Sequence, residues 1–267
     1  MKKKLSNLAL AGIMTCVSHT VFADDGGLPG TDCSNLPGWS TLQSALSSAQ
    51  QHANGGFGLN MWATIVNRDG YVCGVAYTGA DRNEQWPGSR IISAQKANTA
   101  NAFSLPTLAL STANLYSAVQ PGGSLYGLQH SNPVDPTVAY AGPVTNYGLS
   151  SDPLVGQRVG GVNVFGGGLA LYNSSKELVG AIGVSGDSSC ADHNIAWRTR
   201  NLLSLDYVPG GVSSQSGHPD NIVFDIINET GMQTGVSLSG WGHPYCSNNT
   251  VSETNELNIS KNLPKTH

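Results

Sequence analysis

The chain has 267 residues, 39% of them hydrophobic and only 11% charged, with a formal net charge of -4. This is too apolar for a disordered polypeptide. The acidic balance disfavours nucleic acid and anionic membrane surfaces as partners.

Lys2, Lys3 and Lys4 precede an apolar stretch from Leu8 to Val17, and Val21-Phe22-Ala23 supplies a small-residue cleavage pattern. Residues 1–23 therefore read as a secretory signal peptide, whose apolar part is too short to span a bilayer. A buried helix there would set three lysines against the helix dipole. The lysine run reads as bacterial, so the expected destination is the periplasm or the medium. No later segment holds eighteen continuous apolar residues, so no transmembrane segment is expected. Removal of the leader leaves about 244 residues, enough for one core. It takes three lysines with it, so the net charge falls to about -7.

Cys33, Cys73, Cys190 and Cys246 then remain. An even count in an oxidising compartment predicts two disulfides, for which three pairings exist. Their spacing lacks the close pairs of a zinc site. Sequential pairing, Cys33–Cys73 and Cys190–Cys246, ties each peripheral segment to its nearest piece of core and is the expected one. The alternative for Cys190, at a helix start, is a reactive thiol of low pKa.

Ser40 to Ala53 reads as an amphipathic helix capped by Ser40, with Leu42, Ala45, Leu46 and Ala49 on one face. Period two then takes over in Leu59–Val66, the turn Asn67-Arg68-Asp69-Gly70 follows, and Tyr71–Tyr77 returns as a second strand. Ser89–Phe103 is the second helix. Its small residues Ala94, Ala97 and Ala100 form a face suited to close packing, including packing on a second subunit. Pro106 breaks it, and Thr107–Val119 reads as a third helical segment. Residues 121–161, rich in Gly and Pro, form a long ordered loop with short strands. Leu169–Tyr172 and Leu178–Ser185 pair across Asn173–Lys176. Ser188 or Ser189 caps a last helix running to about Leu205. Beyond Tyr207 the chain reads as irregular, with a small strand at Ile222–Ile227 and a loose final fifteen residues. Two hairpins with helices before, between and after them define an α+β fold with an antiparallel sheet, not a doubly wound parallel one.

Several segments occur in an informative order. They are Ser93 to Ala100, then Pro106-Thr107, then the run from Gln120 through Pro121-Gly122-Gly123-Ser124 to Leu128. Gly166-Gly167-Gly168 and Val179 to Gly186 complete the set. Together they resemble the haem-degrading and haem-binding family that includes extracellular haem-binding regulators, GlcG-like proteins and the C-terminal domain of certain cobalamin adenosyltransferases. The likeness covers roughly residues 40 to 205. It implies a profilin-like, GlcG-like sheet flanked by helices, a homodimer or higher homo-oligomer, and haem or a related tetrapyrrole as ligand. On this reading residues 24–206 form the family domain, with 121–161 as an inserted loop and 207–267 as a C-terminal extension.

Haem needs an apolar slot, an axial donor and cations for its propionates. The resemblance points to His52, at the end of the first helix, as that donor, and His130 in the long loop is a second candidate. Lys96 and Arg90 are candidate propionate partners; a solvated helix face or an intersubunit ion pair would explain them equally well. His193 beside Asp192 could act as a general base, although adjacent helix residues do not face one another. His218 and His243, each followed directly by proline in the extension, read as surface turn residues. The glycine clusters at 166–168 and 183–186 lack the GxxxxGK[ST] pattern, and tight turns or close sheet–helix packing explain them. Haem degradation, action on a small polar metabolite with His193 or His130 as acid–base, and a non-catalytic interaction module all stay open.

Overall fold

The computed structural model describes residues 32–226, 235–246 and 252–267; the expected leader at 1–23 lies outside them. Four strands, β1 (Trp62–Asn67), β2 (Val72–Tyr77), β3 (Gly168–Tyr172) and β4 (Leu178–Ser185), form one antiparallel sheet in the order β2-β1-β4-β3. The α+β expectation holds. Both hairpin turns are built by asparagine. The Asn67 side-chain oxygen accepts from the N–H groups of Asp69 and Tyr71, and that of Asn173 accepts from Ser175 and Glu177. Gly70, at φ 81°, supplies the left-handed residue the first turn needs.

All six residues of β1 are buried, because the sheet is covered on both faces. Met61, Ala63 and Ile65 point into a core shared with helices α1 (Trp39–Gln50) and α5 (Ser189–Leu202). Trp62 and Val66 point the other way, towards α2 (Ser89–Phe103). On that face the alternation brings Thr64 to Ser93, hydroxyl to hydroxyl at 2.7 Å.

Helix α1 carries the expected apolar face, but it starts at Trp39 after Gly38, with no side-chain cap, so Ser40 is not the cap. The indole N–H of Trp39 instead ties that end to Gly148 O at 2.8 Å. Ser188 does cap α5, accepting from Ala191 N. Ala94, Ala97 and Ala100 are fully buried against the chain's own sheet, which corrects the expectation that this face serves a second subunit. The sheet opposite is lined with glycine for the same reason: a Cβ on Gly183 would overlap Ser93 O, and one on Gly168 would overlap Lys96 O.

The third helix expected over Thr107–Val119 is absent. Two short 3-10 turns, Thr112–Leu115 and Ser117–Val119, stand there. The polar side chains of this segment are spent on distant backbone: Thr112 donates to Phe165 O, and Asn114 to Asn221 O at 3.0 Å. The long loop contains two single-turn helices, α3 (Leu128–Ser131) and α4 (Pro136–Ala139). It runs beside β2, where Val72 and Val155 form a parallel bridge.

The extension departs from the irregular, loose reading. Residues 253–261 form helix α6, Leu263 is buried in the main core, and Pro264 O accepts from the Trp197 indole at 2.8 Å. The expected strand at Ile222–Ile227 reduces to one bridge between Ile226 and Ser237; Ile227 lies outside the described residues. His218 is buried, with its ring nitrogens at Ser216 O and Leu263 O, so it is a core residue. Both expected disulfides, Cys33–Cys73 and Cys190–Cys246, are present.

Gly183→Ala is expected to cost about 2–3 kcal/mol, read as a lower urea midpoint at unchanged slope. At Gly88 an added methyl meets nothing within 4 Å; Gly88→Ala should stay within about 0.5 kcal/mol of wild type.

Candidate functional site

The segment from Ser185 to Ser189 joins β4 to α5, and its side chains organise one end of the sheet. The Asp187 carboxylate accepts from the backbone of Phe57, Leu59 and Ser188 at 2.6–3.0 Å, which pins the α1–β1 connection. Asp192, in the first turn of α5, accepts from Asp187 N at 2.9 Å and from Lys96 Nζ at 2.6 Å. Lys96 also donates to Val184 O at 3.1 Å.

Both charges of that pair are buried. Burial pushes the Asp192 carboxyl up to about 6 and draws the Lys96 ammonium down, while their mutual attraction opposes both shifts. The pair forms the floor of a cavity of about 340 Å³. Trp86 and Phe165, each about half exposed, stand with Ile92 on its apolar side, and Ser89, Ser185 and Ser189 supply hydroxyls. This volume lies at the low end for small-molecule sites. A second hollow, about 740 Å³, lies between residues 116–124 and 235–240. Among the described residues, no histidine or cation lines it.

Of the residues singled out in the sequence, Lys96 and Asp192 are brought together here. Arg90 is buried elsewhere, paired with Asp152, bonded to Ala139 O at 3.0 Å and stacked on Tyr147. Neither basic side chain lies on a solvated helix face. His193 takes no part in lining the cavity. It is fully buried, with Nε2 3.0 Å from Asn221 Oδ1, and burial holds its imidazole down to about 4. Asp192 and His193 share no hydrogen bond, as their adjacency on a helix requires. His52 and His130 are both exposed and lie outside the two cavities.

His243 is the residue that sequence reasoning misplaced most. It is buried, with Nε2 2.8 Å from Ser189 Oγ and Nδ1 2.6 Å from Pro244 O. A signal existed in the cysteines. Ser189 precedes Cys190 and His243 lies three residues before Cys246, so the disulfide carries one to the other. Cys190, His243 and Cys246 gather their ligand atoms within 4.8 Å. The two sulfurs are bonded to each other, which removes the reactive-thiol reading of Cys190.

Residues 38–200 match the family model described as haem degrading protein HbpS-like. The chain belongs to that family. Among solved structures, it is similar to a PduOC–haem complex at 23% identity and a TM-score of 0.43, over 62% of this chain and 91% of that one. It is also similar to the Klebsiella pneumoniae protein ORFY, at 22% identity and 0.42, over 65% and 96%. A third similar structure is HbpS, at 14% and 0.39, over 67% and 99%. No curated protein matches the chain significantly. The family match ends at Arg200, so His243, Asp220 and helix α6 all lie beyond it.

Asp192→Asn leaves Lys96 buried without its counter-charge and is expected to cost about 3–5 kcal/mol in denaturant unfolding. Adding Lys96→Met to that variant should recover most of the loss. Burial lowers the His243 imidazole from 6.5 to about 4. The unfolded chain therefore binds this proton at higher pH than the folded one. This group's contribution to stability is complete above pH 6.5 and is lost as pH falls towards 4. Imidazole carbon shifts followed by NMR should show His243 neutral until pH nears that lower value.

Proposed function

We propose that the protein is an exported haem-binding member of the HbpS-like family, with residues 1–23 removed as a signal peptide. Residues 24–206 are then the family domain, with 207–267 an extension fastened to it. The family match over residues 38–200 carries this reading. Two disulfides support a destination in the oxidising periplasm or the medium. No helix among the described residues is long and apolar enough to cross a membrane.

The histidines fit a haem iron at two positions. His193, His218, His243 and His267 each have at least one ring nitrogen engaged within the fold. Among the described residues, only His52 and His130 are exposed with neither ring nitrogen hydrogen-bonded. An imidazole with both nitrogens free can give one to iron and steady its ring through the other. His52 is the preferred donor, and His130 the second. Both donors sit at the surface, so a bound macrocycle needs a second apolar wall. A second copy of the chain would provide it, which favours a homodimer as the minimum assembly.

Bound haem would supply iron-centred oxygen chemistry, including any haem degradation, and the protein's share is to hold the macrocycle and tune its axial donor. Lys96 is the cation in the 340 Å³ cavity, and two described acceptors take only two of its three N–H groups. A propionate reaching that cavity would meet the third.

Titration of the haem-free protein with haem should give a saturable absorption change. His52→Ala should shift or abolish that spectrum while His267→Ala leaves it unchanged. Loss of the spectrum in His130→Ala alone would move the donor to the long loop. A folded wild-type protein that gives no specific spectral change would overturn the reading.

A further inference from the structure

We infer that Ser189 and His243 form a nucleophile–base dyad that hydrolyses small neutral carboxylic esters in the Trp86–Phe165 cavity. The activity needs no haem and stands apart from the reading above.

Hydrogen-bond geometry sets the direction of the proton. Pro244 O can only accept, so His243 Nδ1, 2.6 Å away, carries the ring proton. Nε2 is then a lone pair, and Ser189 Oγ, 2.8 Å away, donates to it. This is the tautomer a general base requires, with a third group orienting the base. Gly166 N donates to Ser189 Oγ at 2.6 Å and fixes the hydroxyl in place. One oxygen lone pair remains for attack. Burial among Tyr116 and the extension holds the imidazole uncharged at neutral pH.

The surroundings suit an acyl carbonyl. Ser189 is partly exposed and lines the cavity whose floor is Lys96. A Cβ on Gly167 would stand 3.2 Å from Lys96 Nζ, and Gly166 next to it already touches Ser189. Ser189 and Lys96 both line that cavity, so the hydroxyl and the ammonium face one shared space. The third N–H of Lys96 is available to a carbonyl oxygen that gains negative charge. Asp192 already neutralises that ammonium, so an uncharged ester suits the site without bringing a counter-charge of its own. The cavity of about 340 Å³ and its aromatic walls admit a short-chain or single-ring acyl group.

In the first step Ser189 Oγ bonds to the carbonyl carbon and its proton passes to His243 Nε2. The carbon–oxygen bond to the alcohol breaks, and the alcohol leaves with that proton. Water then adds to the acyl carbon and gives a proton to His243. The acid departs as Ser189 Oγ takes that proton back. No oxidant or metal enters the balance.

The test uses the full chain with both disulfides intact, free of haem. Wild-type protein treated with diisopropyl fluorophosphate should take up one equivalent, and peptide mass mapping should place it on Ser189. p-Nitrophenyl acetate and p-nitrophenyl benzoate should be hydrolysed with an initial burst. Ser189→Ala and His243→Gln should each lower kcat/KM by about 10²–10³-fold. His267→Ala should hydrolyse both esters at the wild-type rate. Labelling of the wild type needs no variant, so it decides the matter even where a substitution unfolds the chain. No label, or a label at another residue, overturns the inference. So does full esterase activity in folded Ser189→Ala.

Discussion

Lys96 starts on helix α2, on one face of the sheet, and ends against Asp192 on helix α5, which packs on the other. A buried ammonium left unpaired would cost several kcal/mol, so this crossing must be made cleanly. Glycine makes it possible. With no side chains at residues 168 and 183, α2 settles directly onto β3 and β4. Gly167 then leaves room for the lysine, whose Nζ lies 3.2 Å from where a Cβ would stand. A fold-level packing need thus also sets the ion pair, because the close seating of α2 on glycine brings its lysine within reach of α5.

The peripheral segments repeat this logic. The long loop brings Asp152 to Arg90, and the extension brings Asp220 to Arg200, both pairs fully buried. Each guanidinium also lies over an aromatic ring, Tyr147 and Trp197 respectively. Disulfides add a covalent tie at the N-terminal side and at the start of α5. Segments with few apolar residues are therefore held by carboxylates that meet charges already committed to the core. Such pairs contribute little net stability, yet removing either partner is costly, so they specify where each segment docks.

Period-two and period-3.6 patterns made the sheet and its three main helices legible, and α2 runs over the expected Ser89–Phe103. Those patterns record burial on a regular element. They carry no information about Thr112 or Asn114, whose partners lie more than fifty residues away and override a helical reading. The extension was hidden for a related reason. Leu263 sits among Asn, Ser and Lys with only Leu257 and Ile259 as apolar neighbours, and neither His218 nor His243 belongs to a period. The cavity was half legible. Lys96 and Asp192 were visible as chemistry-bearing residues, but the buried ion pair joins two helices that no local pattern relates.

Leu263 fills the core that Leu42 and Leu46 begin, and Trp197 finds its acceptor at Pro264. A polypeptide emerges from a ribosome or a translocation pore N-terminal end first. Helices α1 and α5 and the sheet between them are therefore in the open before the piece that closes them has appeared. During that interval the indole lacks its acceptor and an apolar seam faces water, which is the state that chaperones hold and that aggregates when left alone. Timing of release thus enters the biosynthesis of this fold: the half-built domain must be sheltered for as long as the last stretch of chain is still in transit.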